Sequence, residues 1–315
     1  LMMEKNRWVK RGVAVLPLII TCHTAVASYH SDINDGLTIS SSLGLLNAES
    51  QEFVYQPQYN GRKLSQIDWK AENTPIVKMD ISWDLLSRLT LTARGWSTLS
   101  PGKGVMDDYD WKTLGQSKWT DWSHHEKTNL NYANEIDLNA KFWLLKQENY
   151  RIGMMAGYQR NNNSWTSYGG NYNYNSGNNL FTGSDSVTNI GYKQKFEMPY
   201  LGLAGSYHYQ KFEFNTLLKY SSWVNAYGDD EHYLRQLSFK DSSKGSRYYA
   251  VVIDAGYYVT DNTKLFVEAS WNRHAEGKGD TQIIDTGAGV SANVANSAGI
   301  AQQNQTITIG LQYKF

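Results

Sequence analysis

The last ten residues, TITIGLQYKF (306–315), place Ile307, Ile309, Leu311, Tyr313 and Phe315 on one side of an extended chain and Thr306, Thr308, Gly310, Gln312 and Lys314 on the other. That period of two, kept to the final residue, predicts a strand with one apolar and one polar face. The alternation recurs upstream. In EIDLNAKFWL (135–144), Ile136, Leu138, Ala140, Phe142 and Leu144 oppose Glu135, Asp137, Asn139 and Lys141. In LFVEASWN (265–272), Leu265, Val267, Ala269 and Trp271 oppose Phe266, Glu268, Ser270 and Asn272, and FEFNTLLKYSSWV (212–224) aligns Phe212, Phe214, Leu218, Tyr220 and Val224. Counting such segments gives about ten strands, near 37–56, 62–83, 88–100, 128–145, 150–168, 188–207, 211–235, 236–259, 263–280 and 302–315. Tight links at DLLSR, KQEN, YQK and TDNT alternate with long ones at 101–127, 169–187 and 281–301.

An even strand count with short and long links in alternation suits a closed barrel whose apolar face meets lipid and whose polar face lines a lumen. The long links then share the outer rim. A soluble sandwich would need a second sheet to cover each apolar face. A chain that ends on an aromatic strand also resembles bacterial outer-membrane barrels. The expected fold is all-β, a ten-stranded antiparallel transmembrane β-barrel. Composition agrees, since 22 Tyr and 11 Trp against 5 Pro in 315 residues favour strands.

The N-terminus adds a compartment. Lys5, Arg7, Lys10 and Arg11 precede the apolar run GVAVLPLIITCHTAVA (12–27), which ends in Ala25-Val26-Ala27. This pattern predicts a cleaved signal peptide, residues 1–27, and a barrel domain over 28–315. The single cysteine, Cys22, falls inside that segment, and Thr21 before it argues against a lipoprotein site. The exported domain is thus expected to use neither disulfides nor thiolate metal ligands. Losing Lys5, Arg7, Lys10, Arg11 and Glu4 leaves a net charge of about −3 from the formal 0, which speaks against a nucleic-acid partner.

Candidate chemistry sits in two acidic clusters, MDDYDW (106–111) and GDDEHY (228–233). If both chain ends are periplasmic, the first lies in the link after the third strand and the second at the outer end of the seventh. Strand parity therefore brings both to the outer mouth. Residues i and i+2 of an extended chain point the same way, so Asp108 pairs with Asp110 and Asp230 with His232. An aspartate beside a histidine fixes its tautomer and makes it a general base towards water, and two close carboxylates share a proton. The same residues also read as a solvated acidic rim or as a calcium site. HHE (124–126) reads as loop surface. A porin or adhesin with an acidic mouth is the non-catalytic alternative, and a lipid-A hydrolase is disfavoured because no G-x-S-x-G and no obvious Ser–His pairing is found.

GRKLSQIDWK (61–70), MDDYDW, NYANEIDLN (131–139), GYKQKFEMPYLGLAGSY (191–207), DDEHY and DAGYYVT (254–260) together resemble the omptins, over nearly the whole exported chain. GSRYY (245–249) and EGKGDTQIID (276–285) place it nearest the plasminogen-activator branch. The resemblance implies a barrel extending beyond the outer membrane with an outward-facing endopeptidase site. There Asp108, Asp110, Asp230 and His232 would activate water, with no metal and no cofactor. It further implies cleavage next to Arg or Lys in peptides or host proteins such as plasminogen. Glu52 matches one acid that holds the basic residue before the cut, Gly228 stands where the second would be, and Asp121 matches an acid favouring a basic residue after it. Activity is expected to need lipopolysaccharide, held near Tyr158, Arg160 and Lys195, with Asn162 where the family carries an arginine.

Overall fold

The computed structural model describes residues 36–315, so the predicted signal peptide lies outside the described residues. Eleven strands follow in chain order: β1 (Gly36–Gln56), β2 (Arg62–Leu86), β3 (Leu89–Thr98), β4 (Gly102–Asp110), β5 (Asp121–Lys146), β6 (Tyr150–Tyr174), β7 (Asn179–Tyr209), β8 (Phe212–His232), β9 (Leu237–Tyr258), β10 (Thr263–Asp285) and β11 (Val290–Lys314). Each pairs antiparallel with its neighbours, and β11 returns to β1 with Thr38 opposite Lys314 and Val54 opposite Ala298. The sheet thus closes on itself, which leaves no edge to pair with other chains and no backbone group unsatisfied in lipid.

The ring holds ten strands, because β3 and β4 are two halves of one. β3 pairs β2 over 76–86 and β4 pairs β2 over 65–71. Both also pair β5. The break at Leu99–Pro101 faces a matching irregularity in β2, where Asn73 adopts φ 54° and its N–H donates to Asn47 Oδ1 at 2.9 Å. Pro101 has no N–H to give the ladder, so the strand cannot run through.

The predicted faces hold in the membrane band. Leu43, Leu45, Ile136, Leu138, Phe142, Leu218, Tyr220, Leu265, Val267, Ile307, Ile309 and Leu311 are all exposed on the outside. The lumen there is polar and crossed by ion pairs. Lys78 meets Glu268, Lys219 meets Asp137, and Arg94 bridges Asp80 at 2.8 Å and Glu268 at 2.9 Å. A chamber of about 740 Å³ opens towards the tight turns below these pairs. Above them the barrel is filled by buried Leu46, Ile76, Trp69, Trp165, Met106, Leu130 and Tyr192. The porin reading requires a lumen open at this height, and these side chains occupy it.

The long links of the sequence reading are corrected. Residues 121–127, 169–174, 179–187, 281–285 and 290–301 continue their strands outwards, and the outer tips are short, at 57–61, 111–120, 175–178, 233–236 and 286–289. The barrel wall therefore rises well past the apolar band, and the site rests on sheet.

Candidate active site

β8 carries the catalytic candidates, and its phase decides where they point. Alternation from Phe212 runs outward through Phe214, Leu218 and Tyr220 and inward through Leu217, Lys219 and Ser221. Carried on unchanged, it would turn Asp230 and His232 out of the barrel. The sequence therefore calls for a bulge that resets the phase, expected near Asn225–Gly228, and the structure places it earlier, where the β8–β9 register shifts between Ser221 and Val224 and again before Asn225. The Trp223 N–H donates to Ser221 Oγ at 3.0 Å there. Two residues then separate consecutive inward positions, so Val224, Ala226, Gly228 and Asp230 all face in. Val224, assigned to the lipid side from sequence, is fully buried inside.

Above the bulge His232 Nε2 lies 2.7 Å from Asp230 Oδ2, and the imidazole sits edge-on to Phe239 at 5.3 Å. Asp230 is almost wholly buried. Burial acts to depress the imidazole, but the adjacent Asp230 charge and hydrogen bond outweigh it and hold His232 above its ordinary value. β4 supplies the facing pair. Asp108 stands opposite Ile67 and Ser123, and Asp110 opposite Ser65 and Asp121. Burial first, then the Asp110 charge, push the Asp108 carboxyl up to about 7, while His232 pulls it the other way. The two pairs predicted from parity thus come within electrostatic reach across the mouth.

Glu52 faces the same space from β1 between Ile300 and Ile67. Burial, followed by the charges of Asp230, Asp241 and Asp108, raises its carboxyl well above the usual range. Gly228 is inward, two positions below Asp230, with Tyr192 and Asp241 beside it. Asp121 accepts from Thr120 Oγ1 at 2.7 Å and from the Asn175 N–H at 3.2 Å. The Lys112 ammonium lies between Asp110 at 3.2 Å and Asp121 at 3.4 Å. Tyr158, Arg160 and Lys195 stand apart, on the outer face of β6 and β7. Arg160 and Lys195 approach Glu197 at 3.6 and 3.3 Å, and Lys195 covers the Tyr227 ring at 4.3 Å.

Three features escaped the sequence reading. His124 and His125 lie in β5, not in a loop, and His125 is fully buried with Ser123 Oγ 2.9 Å from its Nε2. A Ser–His contact therefore exists, visible in sequence only as an i, i+2 pair. Its histidine is oriented by the Asn189 amide at 3.3 Å instead of an acid, and burial lowers its basicity. The third is Asp241 on β9, directly opposite Gly228.

The profile of the Omptin family matches residues 33–315. A Yersinia pestis plasminogen activator is 52% identical over 284 residues, covering 89% of this chain and 90% of that protein. Protease 7 of Escherichia coli strain K12 is 42% identical over 313 residues, covering 96% and 99%. The crystal structure of outer membrane protease OmpT from Escherichia coli superposes with a TM-score of 0.86 at 43% identity, over 91% of this chain and 99% of that one. A closed ten-stranded ring, an acid-lined mouth above the membrane and these relationships agree: the chain belongs to the omptin family of outer-membrane proteases.

Proposed function

We propose that this protease cleaves polypeptides next to Arg or Lys by direct attack of a water held between Asp230–His232 and Asp108–Asp110. The observation that carries it is the 2.7 Å contact between His232 and Asp230, facing the carboxyl pair across the mouth. With Asp230 accepting from Nε2–H, the lone pair of His232 lies on Nδ1 and is free to take a proton from water. The water oxygen bonds to the scissile carbonyl carbon as its proton passes to Nδ1, and Asp230 stabilises the imidazolium. Asp108, whose carboxyl is pushed up to about 7, offers a donor and Asp110 an acceptor to the oxygens of the tetrahedral centre. The imidazolium then protonates the departing amine, the C–N bond breaks, and a carboxylate and an amine leave. Water is the nucleophile throughout, so no covalent intermediate forms.

Glu52 supplies negative charge for the basic residue before the cut, and Asp121 for one after it. On the outer face, Arg160 and Lys195 above the lipid-facing Tyr158 offer cations to the phosphates of lipopolysaccharide. Because both share Glu197 and Asn162 brings no charge, this contact is weaker than a set of free arginines would make. Plasminogen, the protein on which the Yersinia pestis relative is named as acting, is the protein substrate to try first.

The test is cleavage of an Arg-containing peptide by protein refolded with rough lipopolysaccharide, compared with neutral detergent alone. Activity is expected to need the lipid and to resist serine-protease inhibitors and chelators. His232→Ala and Asp108→Ala are each expected to lower kcat by about 10²–10⁴ with the barrel still assembled. Rates within a fewfold of wild type in both variants would sink the mechanism, and full activity in neutral detergent would remove the lipid from it.

A further inference from the structure

Gly228 and Asp241 are cross-strand partners on β8 and β9. A Cβ on Gly228 would lie 3.2 Å from Tyr192 Oη and 3.3 Å from Asp241 Cβ. A side chain at 228 would therefore start in tight contact with both, and the glycine lets Asp241 lie close against β8. Asp241, Glu52 and Asp230 are 4%, 2% and 1% exposed, and Asp241 Oδ1, Glu52 Oε2 and Asp230 Oδ1 are each buried without a hydrogen-bond partner. Buried carboxylate oxygens left without donors are costly, and a cation bearing several N–H groups would satisfy them together. Asp241 and Asp230 both act on the ionisation of Glu52, which places the three in one electrostatic neighbourhood. Beside them Tyr192, cross-strand from Asp230, stacks on Trp69 at 5.9 Å, an aromatic wall suited to a flat guanidinium or an alkyl-ammonium chain.

We propose that Asp241 is the second specificity carboxylate of this enzyme, joining Glu52 around the basic substrate side chain beside Gly228. The carboxylate that the sequence reading finds missing from β8 is supplied by the adjacent strand. This rests on the proposed function, since it names a determinant of that same site. Gly228→Asp would then add no useful contact. A side chain there would press an additional carboxylate against Asp241, Glu52 and Asp230, where like charges drive protonation instead of binding.

The test uses full-length protein refolded with rough lipopolysaccharide and two peptides that differ only in Arg or Gln before the cut. The ratio of their kcat/KM values is the readout. In Asp241→Asn this ratio is expected to fall about ten- to a hundredfold, through loss on the Arg peptide, as the removal of one charge-assisted contact requires. Gly228→Asp alone should not raise it. The double variant Gly228→Asp/Asp241→Ser, which moves the carboxylate across the strand pair, should recover most of it, and Asp241→Ser serves if Asp241→Asn does not fold. If wild type cleaves the Arg peptide and the ratio in Asp241→Asn stays within twofold, the assignment of Asp241 is overturned and the proposed function stands. An equal fall on both peptides also overturns it, by assigning Asp241 to folding or hydrolysis. A double variant that recovers nothing overturns the shared location. Wild type that cleaves neither peptide overturns the proposed function and this inference with it.

Discussion

Under the proposed mechanism Asp108 and His232 carry opposite requirements, because the histidine must be neutral to accept a proton while Asp108 must keep its own. Asp230 raises His232, so loss of activity on acidification begins above pH 6.5. Asp108 loses its proton at about 7, so a second loss sets in on the alkaline side. The expected kcat/KM profile is a bell whose limbs belong to the coupled group. Asp110 is the largest charge raising Asp108 after burial, so Asp110→Asn should shift the alkaline limb to lower pH, as a pH–rate series would read. An unshifted limb would mean that another group sets it. The i, i+2 pairs were legible from spacing alone, whereas the roles proposed for Glu52 and Asp121 came only through family resemblance. Asp241 was not legible at all, because nothing along the chain says that residue 241 faces residue 228.

At the scale of the strand, the bulge in β8 sets both the direction and the height of the catalytic pair. Deleting Ser222 would restore strict alternation and leave Asp230 facing in, but it would draw the pair about 3.3 Å towards the membrane relative to Asp108. A displacement of that size should cost at least about 10² in kcat while the variant still assembles, which peptide cleavage and barrel migration on gels would check together. Activity near wild type would show that the pair tolerates misplacement. Sequence periodicity predicted that a reset must occur but put it at 225–228, because Trp223 and Val224 are both apolar and hide the change of face. The outer halves of the strands were missed for a related reason. Past the lipid nothing demands an apolar exterior, so stretches such as 169–187 carry Asn, Ser and Gly on both faces and read as loop.

Across the whole molecule, the buried ion pairs and the apolar layer divide the barrel into a lower chamber and an upper cleft. Asp137 is fully buried, pairs with Lys219 and accepts from Tyr200 Oη at 2.7 Å. Asp137→Ala would leave an ammonium without its counter-charge and is expected to destabilise the barrel by about 3–5 kcal/mol, measured by urea unfolding in micelles. Cleavage at room temperature should persist, since the pair lies beneath the apolar layer and outside the cleft. A stability change under 1 kcal/mol would mean that Glu135, which lines the same small cavity as Lys219, replaces the aspartate as its counter-charge. The ring of ten strands was legible because lipid enforces its pattern. The filled interior was not, since Trp69 and Trp165 look like any other aromatic positions on a strand.

The strands that cross the membrane are the ones that hold the cleft, and this fixes a distance. From Leu45, the last strongly exposed apolar residue on β1, to Glu52 the wall climbs roughly 18 Å at the usual strand rise and tilt. No hinge separates the lipid-facing wall from the site, so the enzyme works at a set altitude above its own bilayer. A flexible peptide can reach that height from any side. A folded protein must lower its cleavable loop to it, so its shape beside the barrel decides whether it is cut.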